Sequence, residues 1–299
     1  MRTTLGFIGV GAMGAGMCRN LARKSGCTVL AADLDMGNVH ALAGDGVVAS
    51  SIEEIARSAD IVFLSLPAIA QVEAVCTGPG GLLANVDVKA KALHTIVDMS
   101  TSDVARTRTL AQRLQERGIA LVDAPVARSR EAAQKGTLLI TVGATDTQFA
   151  ALQPHLACMG SDVLHCGPTG TGQVVKIMNN MVLINTVHAL AEACAIAERS
   201  GVSKDLLTQA LGLGSAASFA LQLTGSQYLA KDVFPEKMFS AAYAHKDLQL
   251  ALALARNVGL ADELTECTAQ QLRKSMDRGY AQNYYPVMYR VIAGKGENP

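Results

Sequence analysis

The chain has 299 residues, of which 49% are hydrophobic and 17% charged, so a sizeable core can be buried and a disordered chain is excluded. Its 26 basic residues balance 26 acidic ones, which argues against a nucleic-acid binder, because such proteins show a basic excess or a basic block. The nearest thing to a block, Arg106, Arg108, Arg113 and Arg117, is interleaved with apolar residues and reads as the wet face of a helix.

In the first half, apolar strand-like runs alternate with helical patterns. The runs are Leu5–Gly9, Thr28–Ala32, Ile61–Leu66, Thr95–Met99, Ala120–Asp123 and Leu138–Val142; helical patterns cover Met13–Lys24, Ser51–Ser58 and Asp103–Arg117. Strands covered on both faces read as continuous apolar runs, so this alternation predicts a parallel sheet with helices on both sides. After Gly167 the strand-like runs stop. A long helical segment, Gln173–Ser200, is almost uncharged over its first half, and further helical patterns follow at Lys204–Leu211, His245–Asn257 and Ala261–Arg278. A helix apolar nearly all round must be buried between domains or against another subunit. The expected organisation is an α/β doubly wound N-terminal domain over 1–167 and an all-helical domain over 168–299 that includes the long helix. The first strand begins so early that no leader peptide is expected. Asn185, His188 and Glu192 interrupt the longest apolar stretch, so a membrane span is not expected either. Seven cysteines without a C-x-x-C pair suggest reduced thiols in a cytoplasm and no zinc or other metal site.

Four segments carry chemistry. Gly9-Val10-Gly11-Ala12-Met13-Gly14 is G-x-G-x-x-G between a strand and a helix. The first glycine allows the tight turn, the second lets a pyrophosphate approach, the third lets helix and sheet pack closely, and the helix N–H groups face the phosphates. The glycine pattern alone is weak, but Asp33 stands 19 residues after Gly14 at the end of the second strand, where a carboxylate accepts from an adenosine ribose. A carboxylate there repels a 2′-phosphate, and no arginine occurs in Leu34-Asp35-Met36-Gly37-Asn38, so NAD is favoured over NADP. Lys176 is the one Lys or Arg between Gln173 and Ala197. A helical lysine is ordinarily surface decoration; this one sits among Val174, Val175, Ile177 and Met178, a setting that disfavours the ammonium and suits proton transfer, with Asn179 and Asn180 within one turn. Asp98-Met99-Ser100-Thr101-Ser102 is either a ligand-binding strand end or a capped strand-to-helix turn. In Asp123-Ala124-Pro125-Val126-Ala127-Arg128-Ser129-Arg130 the arginines either fork onto an anion or lie in solvent. His245-Lys246-Asp247 reads as a solvated helix start.

In this order these segments resemble the β-hydroxyacid dehydrogenase family, which includes 3-hydroxyisobutyrate dehydrogenase. The resemblance rests on Gly6-Phe7-Ile8-Gly9 through Asn20-Leu21, on Asp98 to Thr101, on Asp123 to Val126, on Gly172-x-x-x-Lys176-x-x-x-Asn180, and on Lys246-Asp247-Leu248. It implies a Rossmann domain, a helical second domain and a long helix that contributes to dimerisation. It implies Lys176 as catalytic acid/base and Asn180 as substrate-orienting, and it puts Ala12, Met13, Asp33, Leu66, Thr101 and Lys246 near the dinucleotide. Most members continue Asp-Ala-Pro-Val with Ser-Gly-Gly, a turn that cradles a substrate carboxylate. This chain has Ala127-Arg128-Ser129, similar to the sulfolactaldehyde reductase branch, where Gly-Arg-Thr fills these positions and the arginine meets a sulfonate. The expected substrate is thus a small acid gripped by Arg128 and Ser129, 3-sulfolactaldehyde first and 3-hydroxyisobutyrate or another short 3-hydroxy acid second, acted on by a homodimer or homotetramer. A dinucleotide-binding regulator without catalysis is the reading from another class; a lysine kept in an apolar helix and the lack of a basic tail speak against it.

Overall fold

The computed structural model describes residues 3–86 and 93–295. The chain divides into two compact units, the first ending at Lys176 and the second beginning at Ile177, so the division falls inside the long helix Thr171–Arg199.

The first unit is built on one sheet. Its strands are β1 (Thr4–Ile8), β2 (Thr28–Ala32), β3 (Val47–Ala49), β4 (Ile61–Leu64), β5 (Thr95–Asp98), β6 (Ala120–Asp123), β7 (Val126–Ala127), β8 (Leu138–Gly143) and β9 (Gly160–Gly167). From one edge they run β3-β2-β1-β4-β5-β6-β8-β7, with β9 paired to β8. The six strands from β3 to β6 are parallel, and their order, 3-2-1-4-5-6, is that of a dinucleotide-binding Rossmann sheet. β8 joins antiparallel to β6 and β7, and β9 extends it in parallel. Two apolar layers cover the sheet. One contains Phe7, Met17, Leu21, Phe63, Val97 and Val122; the other contains Ile8, Ile55, Val62, Leu64, Ile96 and Leu121. Alternate residues of each central strand go to opposite layers, as the pleat requires.

Two helices are held together tightly enough to matter for the site. The helix Gly14–Lys24 packs on Arg130–Lys135, where a Cβ on Gly16 would crowd the Ala133 backbone at 2.7 Å. Buried Asn20 donates there to the carbonyls of Ala133 and Gln134 at 3.0 and 2.9 Å. The turn holding Arg128 and Ser129 is thereby tied to the first helix.

The second unit is helical. Beyond the long helix it contains Lys204–Leu213, a π-helical segment Leu221–Leu229, Ala241–Asn257 and Glu263–Ser275 around a core of Ile184, Val187, Leu248, Leu272, Tyr285 and Tyr289. Asn185 and His188 on the long helix meet Thr265 and Thr268 at 3.0 and 2.9 Å, so two of the three polar residues that break its apolar run form a buried seam, while Glu192 is exposed. The helix expected to open at His245 begins at Ala241, because the Ser240 hydroxyl caps it by accepting from the Tyr243 N–H. β3, β7 and β9 are strands absent from the sequence reading.

Candidate active site

The carboxyl ends of β1, β4, β5 and β6 lie along one edge of the parallel sheet, where ligands bind in such folds. At the end of β1 the glycine loop turns sharply. Gly9 has φ of +92°, and a Cβ on it would run into the Ser65 carbonyl and the Leu66 side chain. That packing brings Leu66 to the loop. A Cβ on Gly14 would overlap the Gly9 carbonyl, so the loop and the helix close on each other only without a side chain there. Gly11 differs: a Cβ on it meets no atom of the described protein within 4 Å. Nothing in the fold demands a glycine at that place, whereas the close approach of a pyrophosphate does. The helix that follows, Gly14–Lys24, has no side-chain cap, in contrast to those starting after Asp103, Ser129, Thr145 and Ser203. Exposed Ala12 and half-buried Met13 flank its free N–H groups. This loop fits the phosphates of a dinucleotide.

Asp33 closes the loop from the end of β2. Its Oδ2 accepts from Val10 N–H at 2.7 Å and its Oδ1 from Asp35 N–H at 2.9 Å. Oδ1 also takes the Asn38 amide at 3.5 Å, which leaves Oδ2 a second lone pair for a ribose hydroxyl. Leu34 beside it is fully exposed.

The end of β5 is pinned from two sides. Asp98, fully buried, accepts from Ser100 N–H at 2.9 Å and from the Ser102 hydroxyl at 2.8 Å. The Ser100 hydroxyl takes Leu66 N–H at 2.9 Å. From the other side buried Gln173 accepts from Ser102 N–H at 2.9 Å and donates to the Ser100 carbonyl at 2.8 Å. Half-buried Thr101 stands between the two clasped residues. Next along the sheet, Asp123 accepts from Gly170 N–H at 2.6 Å and from Gln173 N–H at 2.8 Å. It caps the long helix from a strand some fifty residues away in sequence. The approach depends on glycines, because Cβ atoms on Gly143 and Gly172 would collide with the Asp123 carboxylate. Lys176 is half-buried in the next turn of that helix, three residues after Gln173.

In the second unit Asn179 donates to Asn180 Oδ1 at 3.0 Å, and Asn180 donates to Asp247 Oδ2 at 2.6 Å. Lys246 Nζ pairs with the other oxygen of Asp247 at 3.0 Å. The buried carboxylate of Asp247 thus joins the two asparagines to Lys246. The triplet that contains it reads in sequence as a solvated helix start, but Asp247 is buried. A signal is present in the sequence: Ala244 and Ala251, three before and four after Asp247, make its helical face apolar, and both are buried.

Arg128 departs from expectation. Its guanidinium, instead of standing ready to fork onto an anion, donates to the Thr137 carbonyl at 2.7 Å and the Ser161 hydroxyl at 2.9 Å and pairs with Asp162 at 2.7 Å. Its backbone holds φ of +87°, a left-handed conformation suited to glycine and costing other residues on the order of 1–2 kcal/mol. The Ser129 hydroxyl is used as a helix cap, accepting from Ala132 N–H at 3.3 Å. Asp162, on the unexpected strand β9, is what redirects the arginine.

Burial pushes the Asp123 carboxyl up to about 6, outweighing the backbone N–H groups of Gly170, Gln173 and Asp123 itself, which favour its charge. The folded chain therefore keeps a proton there that the unfolded chain, with an ordinary carboxyl near 3.9, releases first. The contribution of this group to stability is full below about pH 3.9 and is lost as pH rises to about 6. Asp123→Asn sets an amide NH₂ against a backbone donor and is less stable throughout. In urea titrations of both proteins, the wild type's advantage should shrink from about pH 4 to about pH 6. An advantage that grows with pH contradicts this.

Comparison with known proteins agrees with the geometry. A family model for the NAD binding domain of 6-phosphogluconate dehydrogenase matches residues 4–167, and one for the NAD-binding region of NADP-dependent 3-hydroxyisobutyrate dehydrogenase matches residues 170–292. The 2-(hydroxymethyl)glutarate dehydrogenase of Eubacterium barkeri is 38% identical over 267 residues, covering 89% of this chain and 87% of that protein. The mitochondrial 3-hydroxyisobutyrate dehydrogenase of Rattus norvegicus is 32% identical, covering 97% of this chain and 87% of the relative. The solved 3-hydroxyisobutyrate dehydrogenase of Mycobacterium tuberculosis, with L-serine, superposes with a TM-score of 0.85 at 28% identity over 98% of this chain and 99% of that one. With the Rossmann strand order, the open Gly11 and a helical second unit already in place, the chain belongs to the β-hydroxyacid dehydrogenase family and is a hydroxyacid oxidoreductase that uses a nicotinamide dinucleotide.

Proposed function

We propose that the chain is an NAD-dependent dehydrogenase that interconverts a short 3-hydroxy acid and its semialdehyde, with Lys176 as proton donor and acceptor. The observation that carries this is the position of Lys176, one turn into a helix whose start is clasped to the ends of β5 and β6. The dinucleotide supplies the hydride in reduction and takes it in oxidation. Lys176 gives a proton to the carbonyl oxygen in one direction and receives it from the hydroxyl in the other. Asn180, oriented by Asp247, steadies the same substrate, with Asn179 beside it.

NAD, not NADP, is the proposed partner. The Asp33 carboxylate is fixed by two backbone N–H groups where a 2′-phosphate would sit, and no Lys or Arg occurs from Leu34 to Asn38 to receive that phosphate. Wild-type protein should show higher kcat/KM with NAD than with NADP, and Asp33→Ala should narrow the gap. A wild-type preference for NADP contradicts this role.

The far end of the substrate is proposed to be an anion gripped by Arg128. Arg128, in place of a neutral turn, supports a sulfonate such as that of 3-sulfolactaldehyde, provided it exchanges Asp162, the Thr137 carbonyl and the Ser161 hydroxyl for substrate; the exposed ion pair among these contributes only about 0–1 kcal/mol. A dicarboxylic hydroxy acid is the second reading, favoured by the name of the 38% identical relative. General acid–base catalysis contributes about a hundred- to ten-thousandfold, so Lys176→Ala should lose at least that much turnover while still binding NAD. Assays with 2,3-dihydroxypropane-1-sulfonate, 2-(hydroxymethyl)glutarate and 3-hydroxyisobutyrate separate the readings. Arg128→Ala should raise the sulfonate KM by about ten- to a hundredfold. If 3-hydroxyisobutyrate is the best of the three, both the sulfonate and the dicarboxylic readings are wrong. If Lys176→Ala is nearly as active as wild type, the lysine is not the acid/base.

A homodimer or homotetramer in a reducing compartment such as the cytoplasm completes the proposal. Val175, Val182 and Ile196 are exposed at multiples of seven residues along one face of the long helix, and all seven cysteines are free. Sedimentation should give at least a dimer; a monomer at micromolar concentration contradicts it.

A further inference from the structure

Gln173 is fully buried and makes three hydrogen bonds to three different places. Its amide oxygen takes Ser102 N–H at 2.9 Å, its amide nitrogen gives to the Ser100 carbonyl at 2.8 Å, and its own backbone N–H goes to Asp123 at 2.8 Å. The loop it grips is already immobilised from behind by Asp98 and is bonded to the end of β4 through Ser100 and Leu66. The amide is therefore a clip between the helix and a rigid strand end. A clip of this kind is more than packing requires, since an apolar side chain of the same volume would fill the space. It is also placed early. The helix start has glycines at 170 and 172, residues with the least intrinsic preference for helix, and its first N–H groups have no intrahelical partner. Left alone, this turn would fray or shift, and Lys176, three residues further on the same side of the helix, would shift with it.

We propose that Gln173 is a positioning residue that sets where Lys176 stands relative to the Ser100–Ser102 strand end. It touches neither reacting atom; it acts through the lysine. This rests on Lys176 being the proton donor. Reacting groups must be placed closely, and a misplacement of about 1 Å can cost on the order of a hundredfold in rate.

The test is a double-mutant cycle on the full-length enzyme. Gln173→Met keeps the volume and removes both amide bonds. Gln173→Asn keeps a neutral amide but withdraws it by one methylene from Ser100 and Ser102, which makes it a second variant should the first fold poorly. Circular dichroism and NAD titration by calorimetry report folding and cofactor binding apart from turnover. Both variants should bind NAD with wild-type affinity and keep the substrate KM, while kcat falls by about ten- to a hundredfold. Combined with Lys176→Ala, either change should lower the residual rate no further, because a lysine that is absent cannot be misplaced. Normal kcat in a folded variant overturns the proposal. So does an equal loss of rate with and without the lysine, which would mean that Gln173 acts elsewhere. Near-normal turnover of Lys176→Ala alone removes the acid/base reading and this inference with it, and that outcome is distinct from a Gln173 effect that fails to depend on the lysine.

Discussion

The site depends on a buried carboxylate at the start of a 29-residue helix. Asp123 ends β6 and takes the N–H groups of Gly170 and Gln173, two donors that a helix of any length would leave unsatisfied. The partial positive charge of the helix terminus favours the anion, yet burial is the larger effect and raises the carboxyl to about 6. The fold accepts this cost because the contact fixes where the long helix begins. Gly143 and Gly172 exist as glycines at the point of approach, since any side chain would collide with the carboxylate. The position of Lys176 follows from that anchor and from the Gln173 clip beside it.

Two helix starts lie at the same edge of the sheet, and they are used in opposite ways. The Gly14–Lys24 helix has no side-chain cap, and a Cβ on Gly11 before it would meet no described atom within 4 Å. It suits an anion from outside. The long helix already holds an internal anion, so it has no such use and serves as a support. In the second unit a further carboxylate, the buried Asp247, does comparable work by bridging Asn180 and Lys246. Each of these two acidic residues, Asp123 and Asp247, is held by specific donors, and each orients a neighbour.

Much of the fold was legible in sequence because β1, β2, β4, β5 and β6 are covered on both faces and read as unbroken apolar runs. β3 is three residues long at the sheet edge, with Val48 exposed. β9 is half exposed and carries Ser161, Asp162 and His165, so neither run stands out. The helix Asp146–Leu156 was hidden by Pro154 in its last turn, although Thr145 and Gln148 form a capping box. In the site, the glycine loop and Asp33 are close in sequence and could be read together. The Asp123 and Gln173 contacts span 50 and 71 residues, and a buried acid at a strand end looks like any other. Missing β9 also hid Asp162, so Arg128 could be read as a charge but not as one already paired.

The placement of Lys176 is tested most directly by a crystal structure of the enzyme with NAD and a hydroxyacid substrate. The substrate hydroxyl oxygen should lie about 2.6–3.2 Å from Lys176 Nζ. A substrate bound with its hydroxyl on another proton-accepting side chain, and Lys176 turned away from it, would contradict the assignment.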